Sequence, residues 1–88
     1  MRDLIETLKG VYGARVTRIE DKEACLHFDM SGKSVDIHIV KEGDGGLWVE
    51  TTLSRYNGDV IDVYCIEDIK DNNYIQDVYD MYNWSKQS

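Results

Sequence analysis

Eighty-eight residues, 42% of them hydrophobic and 31% charged, carry a net charge of −7 and no proline. The composition is globular rather than disordered, and a chain of this size buries a little over ~60% of its unfolded surface, enough for one modest core. No run approaches the ~18 consecutive apolar residues of a membrane-spanning helix, and the opening MRDLIETLKG lacks the apolar stretch of a signal peptide.

The first expected element is an amphipathic helix over 2–9, with Leu4, Ile5 and Leu8 on one stripe and Gly10 placed to end it. Five strand signals follow, ARVTRIE (14–20), EACLHFDM (23–30), KSVDIHIVK (33–41), GLWVETTLSRY (46–56) and DVIDVYCI (59–66). Turn chemistry separates them: Asp21-Lys22, Ser31-Gly32, the longer EGDGG (42–46), and Asn57-Gly58, a strong hairpin signal. A looser turn over 66–70 leads to a helix over 72–84, with Asp71 as its N-cap. The expected fold is α+β, one domain over 1–88: a short helix, a five-stranded antiparallel meander and a C-terminal helix.

Turn lengths set the register. A two-residue turn at Ser31-Gly32 pairs Met30 with Lys33, Phe28 with Val35, Leu26 with Ile37 and Ala24 with Ile39. A five-residue EGDGG loop brings Val49 opposite Ile39 and Leu53 opposite Val35. These residues form the expected core face, on which Phe28→Ala would cost ~3–5 kcal/mol. A two-residue Asn57-Gly58 turn pairs Arg55 with Val60 and Leu53 with Asp62. It turns Ile61, Val63 and Cys65 outward. Either a bulge shifts this strand, or the outer face carries its own apolar patch with Val40 and Trp48. On the last helix, Tyr74, Ile75, Val78, Tyr79, Met81 and Tyr82 fall on one packing arc. Asp77 and Asp80 fall outside it, with Trp84 beside them.

The same register aligns Cys25 with His38 and His27 with Asp36 on the outer face. These are ligand types for zinc or for a His-activated thiol, but no CxxC or HExxH spacing accompanies them. A solvated sheet face is the favoured reading, with no catalytic residue, metal or cofactor. Without an export signal, Cys25 and Cys65 read as free thiols in a reducing, cytoplasmic compartment. EGDGG lacks the order of a P-loop or a calcium loop and reads as a hairpin connection.

Charge is the more specific signal. Residues 57–84 hold seven acids, Asp59, Asp62, Glu67, Asp68, Asp71, Asp77 and Asp80, against Lys70 alone. This argues against direct binding to nucleic acid or to anionic membranes, both of which need cations. Glu67/Asp71, Asp68/Asp71 and Asp77/Asp80 have i+3 or i+4 spacing, roughly 5–6 Å between Cβ atoms where helical. Like charges so close oppose folding slightly, and their spacing is near that of successive backbone phosphates. A basic partner would reward both features. With Trp84, these acids are the expected partner-binding residues.

Size, acidity and the helix–meander–helix layout resemble those of small phage-encoded inhibitors, including the anti-CRISPR proteins, some of which imitate DNA. RDLIETLK (2–9) is similar to the first helix of an acidic anti-CRISPR that inhibits Cas9. The immunity proteins that neutralise bacterial nuclease toxins are similar in size and charge. The resemblance implies a non-enzymatic inhibitor of a basic nucleic-acid-binding protein or nuclease, acting as a monomer or homodimer. An alternative from another class is a structural or dimerising module using Val40, Trp48, Ile61 and Val63. An enzyme or metal protein built on Cys25, His27, Asp36 and His38 is a third.

Overall fold

The computed structural model describes residues 1–71 and 73–88. Its elements are α1 (Arg2–Tyr12), β1 (Arg15–Ile19), β2 (Glu23–Met30), β3 (Lys33–Lys41), β4 (Leu47–Arg55), β5 (Val60–Ile69) and α2 (Ile75–Gln87). The strands form one antiparallel sheet in the order β1-β2-β3-β4-β5, so the expected α+β meander is the observed fold. Among the described residues, no helix is long and apolar enough to cross a membrane.

Both hairpins read from turn length have the expected register. Phe28 pairs with Val35 and Leu26 with Ile37, while Ile39 pairs with Val49 and Val35 with Leu53. One face of the sheet therefore buries Ala24, Leu26, Val35, Ile37, Ile39, Val49 and Leu53 under Leu4 and Leu8 of α1 and Val78 and Met81 of α2. Thr51, also on this face, donates its hydroxyl to Met81 Sδ at 2.9 Å. No element covers the other face among the described residues.

Phe28 departs from expectation. It is only partly buried, with its ring edge-on to Tyr12 at 5.9 Å. Phe28→Ala should therefore cost less than the ~3–5 kcal/mol of a fully buried phenylalanine. A denaturant midpoint that drops as far as that of a fully buried truncation would contradict the observed packing.

The helices differ from expectation at their ends. Gly10 lies inside α1, which continues to Tyr12 because that ring is buried. Termination comes at Gly13, whose φ of 69° is open to glycine and whose N–H bonds to the Lys9 carbonyl. The last helix starts later than the sequence suggests. Asn72, its expected first residue, lies outside the described residues. Asp71 is not the N-cap; its carboxylate accepts the Asn73 N–H at 2.9 Å in a local turn, and Tyr74 occupies the cap position. Val78, Met81 and Ser85 form the buried stripe of α2, while Ile75 and Tyr79 are 55% and 49% exposed and do not pack. Ser85 is the unexpected member. Its hydroxyl donates to the Tyr82 carbonyl and lies 3.3 Å from the Tyr12 hydroxyl, joining the two helices. Burial raises the Tyr12 phenol to about 12, so it stays a neutral hydrogen-bonding group across the ordinary pH range.

β5 is where the pattern is least regular. Arg55 N–H bonds to the Asp59 carbonyl, so the loop is Tyr56-Asn57-Gly58 rather than two residues, with Gly58 at φ 95°. That extra residue is compensated by a bulge at Ile61, after which Leu53 pairs with Asp62 as the shorter turn would have given. The bulge also returns Ile61 to the core cluster, so it does not join an outer patch. Val63 and Cys65 do remain exposed. The expected looser turn at 66–70 is instead more strand. A second bulge at Glu67-Asp68, with Asp68 at φ 58°, lets both Ile66 and Ile69 bury although they are three residues apart.

Candidate acidic interface

β5 is an edge strand, and α2 runs back alongside it. Two contacts fix that arrangement. The Trp84 ring lies 5.1 Å from the Tyr64 ring, and its indole N–H donates to Asp62 Oδ2 at 3.1 Å. Further along, Asp80 and Asp77 of α2 reinforce burial, the larger effect, in raising the Tyr64 hydroxyl above its usual range. At the far end, Glu67, Asp68, Asp71 and Asp77 line one shallow hollow beside Ile69 and Tyr74.

The seven acids thus follow the β5–α2 edge, but by four different local structures: the hairpin loop, the strand, the turn that holds Asp71 and the helix. Asp59 is exposed in the hairpin loop, where its N–H bonds to Asn57 Oδ1 at 3.1 Å. Asp62, Glu67 and Asp68 belong to the strand and its bulge. Asp77 and Asp80 are exposed on α2, with Asp80 accepting the Gln76 amide at 2.9 Å. Only the Asp77/Asp80 pair has helical spacing. Glu67/Asp71 and Asp68/Asp71 do not, because residues 66–69 are extended and Asp71 lies in a turn.

Lys70 is the one cation within this segment, and it is divided between Asp68 and Asp44, each at 3.4 Å. All three side chains are mostly exposed, so these contacts are weak and salt-screened. They leave Asp59, Asp62, Glu67, Asp71, Asp77 and Asp80 without a cationic partner among the described residues. Trp84 is half-buried against Tyr64 rather than standing free beside the acids. Tyr64 is the residue that the charge argument missed. Its position opposite Thr51 could have placed it under the last helix.

On the uncovered face, Cys25 pairs with His38 and His27 with Asp36, as expected. His27 and Asp36 are in hydrogen-bond contact at 2.7 Å, but among the described residues no group of three or more His, Cys, Asp or Glu is arranged to hold a metal ion. His38 approaches Glu23 at 3.4 Å, and Arg18 is ion-paired with Glu23. Both cysteines are free, and burial followed by Glu50 and Glu67 raises the Cys65 thiol above its ordinary value, so it is a poor nucleophile at neutral pH.

Comparison with known proteins returns no matching family model, no similar curated protein and no similar solved structure.

Proposed function

We propose that this protein is a non-enzymatic inhibitor that binds a basic nucleic-acid-handling protein, such as a CRISPR nuclease, through the acidic β5–α2 edge. The observation that supports this reading is the collection of Glu67, Asp68, Asp71 and Asp77 around one hollow, continued by Asp80, whose charge acts on Tyr64, and by Asp62, which accepts the Trp84 indole N–H. Carboxylates from a strand, a turn and a helix converge there, with Lys70 as their only ion-pair partner among the described residues. Folding does not require that convergence, because these acids are exposed and the core is complete without them. An array of single negative charges along an edge offers arginines and lysines what a phosphate backbone offers them. The resemblance to phage-encoded inhibitors agrees with this chemistry.

The test is competition. Immobilised protein exposed to a bacterial host lysate is expected to retain a basic protein. Adding the free chain should release DNA or RNA from that protein in proportion to the sites occupied. Retention of a partner that holds the chain and its nucleic acid together would overturn the proposal.

A second reading is favoured by one observation. Val63 is 45% exposed on the same uncovered face as Val40 and Trp48. An interaction module docking there would bind in a manner indifferent to the acidic edge.

A further inference from the structure

We propose that His27 is a pH-sensitive clasp on the uncovered sheet face, an imidazolium held between carboxylates of β2 and β3 and loosened by loss of one proton. The inference is independent of the acidic edge. His27 Nδ1 lies 2.7 Å from Asp36 Oδ1, and Nε2 lies 2.7 Å from Asp29 Oδ1. A neutral imidazole has one N–H, so it can donate to only one of these oxygens. Its other nitrogen would then direct a lone pair at a carboxylate. Two carboxylates at hydrogen-bond distance from both nitrogens are satisfied only by the doubly protonated ring.

The surroundings support that state. Arg15 of β1 is aligned opposite His27 and is the nearest competing cation by register. From β2, Cys25 and Asp29 share the face at two residues' distance on either side. From β3, Asp36 is directly opposite, and His38 is diagonal and turned toward Glu23. Thr52 of β4, opposite Asp36, is uncharged. Both helices pack on the other face and bring no charge to the cluster. The His27 side chain is only 19% exposed, against 52% for Asp29 and 60% for Asp36. The ring is thus shielded, while both carboxylates remain open to solvent.

The consequence has a definite sign. The hydrogen bonds that the ring donates to Asp36, and then to Asp29, raise the His27 pKa above the ordinary histidine value. Its contribution to stability is therefore complete below the unfolded value and is lost as pH rises through the folded value. Deprotonation releases the proton to solvent, removes one of the two contacts and makes the face one charge more negative.

The test uses the intact chain and nitrogen chemical shifts of its two histidines, with His38→Gln to assign the signals. The His27 midpoint should lie above about 6.5 and move down in Asp36→Asn, with a smaller move in Asp29→Asn. The melting temperature should fall as pH rises through that midpoint, and the fall should be absent in His27→Gln. A midpoint at the ordinary value that Asp36→Asn leaves in place would overturn the proposal. So would an equal pH dependence of melting in His27→Gln and the unaltered chain.

Discussion

Ile37→Ala is expected to destabilise the protein by about 2–5 kcal/mol. Ile37 sits in the middle of the central strand, 1% exposed, with Leu26 and the wholly buried Thr51 as its cross-strand neighbours. The hole left by truncation is bounded by strands on both sides and by the helical layer above. Little can collapse into it, which places the cost toward the upper part of that range. A domain of this size has ~5–15 kcal/mol in total, so the melting temperature should drop by roughly 10–30 °C. Ile75→Ala is the control. That side chain is 55% exposed, and its truncation should change melting by no more than a few degrees. Equal losses from the two truncations would mean that Ile75 packs as its place on the helical arc suggests, contrary to the structure.

The largest functional effect is expected from Asp77→Lys combined with Asp80→Lys. Both carboxylates are exposed, so the double reversal should leave the sheet and core in place. Asp77 lies in the first turn of α2, where a negative charge is favoured by the helix dipole, and its reversal alone should cost ~0.3–1 kcal/mol of stability. Binding should suffer much more. If the two charges meet arginines in a desolvated contact, their reversal should weaken the complex by several kcal/mol, on the order of a hundredfold or more in affinity. Association with the unaltered chain should slow steeply with added salt, because long-range attraction guides the encounter. Titration of the captured partner at two salt concentrations measures both effects. An affinity indifferent to salt and to the double reversal would eliminate the acidic-edge reading and favour the face around Trp48.

What was legible in the sequence follows from where one local rule decides. Ser31-Gly32 and the five-residue EGDGG loop fix the strand offsets by length alone, and alternation then assigns each side chain to a face. The core around Leu26, Ile37 and Val49 was therefore readable to the residue. β5 was not, because two rules compete there. Ile66 and Ile69 have helix-like spacing, and they share a face in a strand only because Asp68 adopts a left-handed conformation usually given to glycine. Asp is one of the few other residues that tolerates it, and nothing in the local sequence announces the bulge. The start of α2 was misread for a related reason. Asp71 has the side chain of an N-cap but spends it on a turn, leaving the role to Tyr74. Ser85 escaped because a buried hydroxyl is recognisable only once Tyr12, 73 residues away, is beside it. The acids themselves were plain in the sequence. Their grouping on one edge depended on the extension of β5 and on the return path of α2, which the charge pattern does not encode.

The meeting of Tyr12 with Ser85 has a consequence for synthesis. As the chain emerges from a ribosome at ~5–20 residues per second, α1 and the meander can form from neighbours in sequence. Their apolar face stays partly bare until Val78 and Met81 arrive. A nascent chain stopped before α2 would thus present Tyr12, Thr51 and Tyr64, the residues that α2 covers, in a surface that invites association. The last turns of α2 complete the cover of that face, so a premature stop codon near residue 74 should yield an insoluble product rather than a smaller folded one.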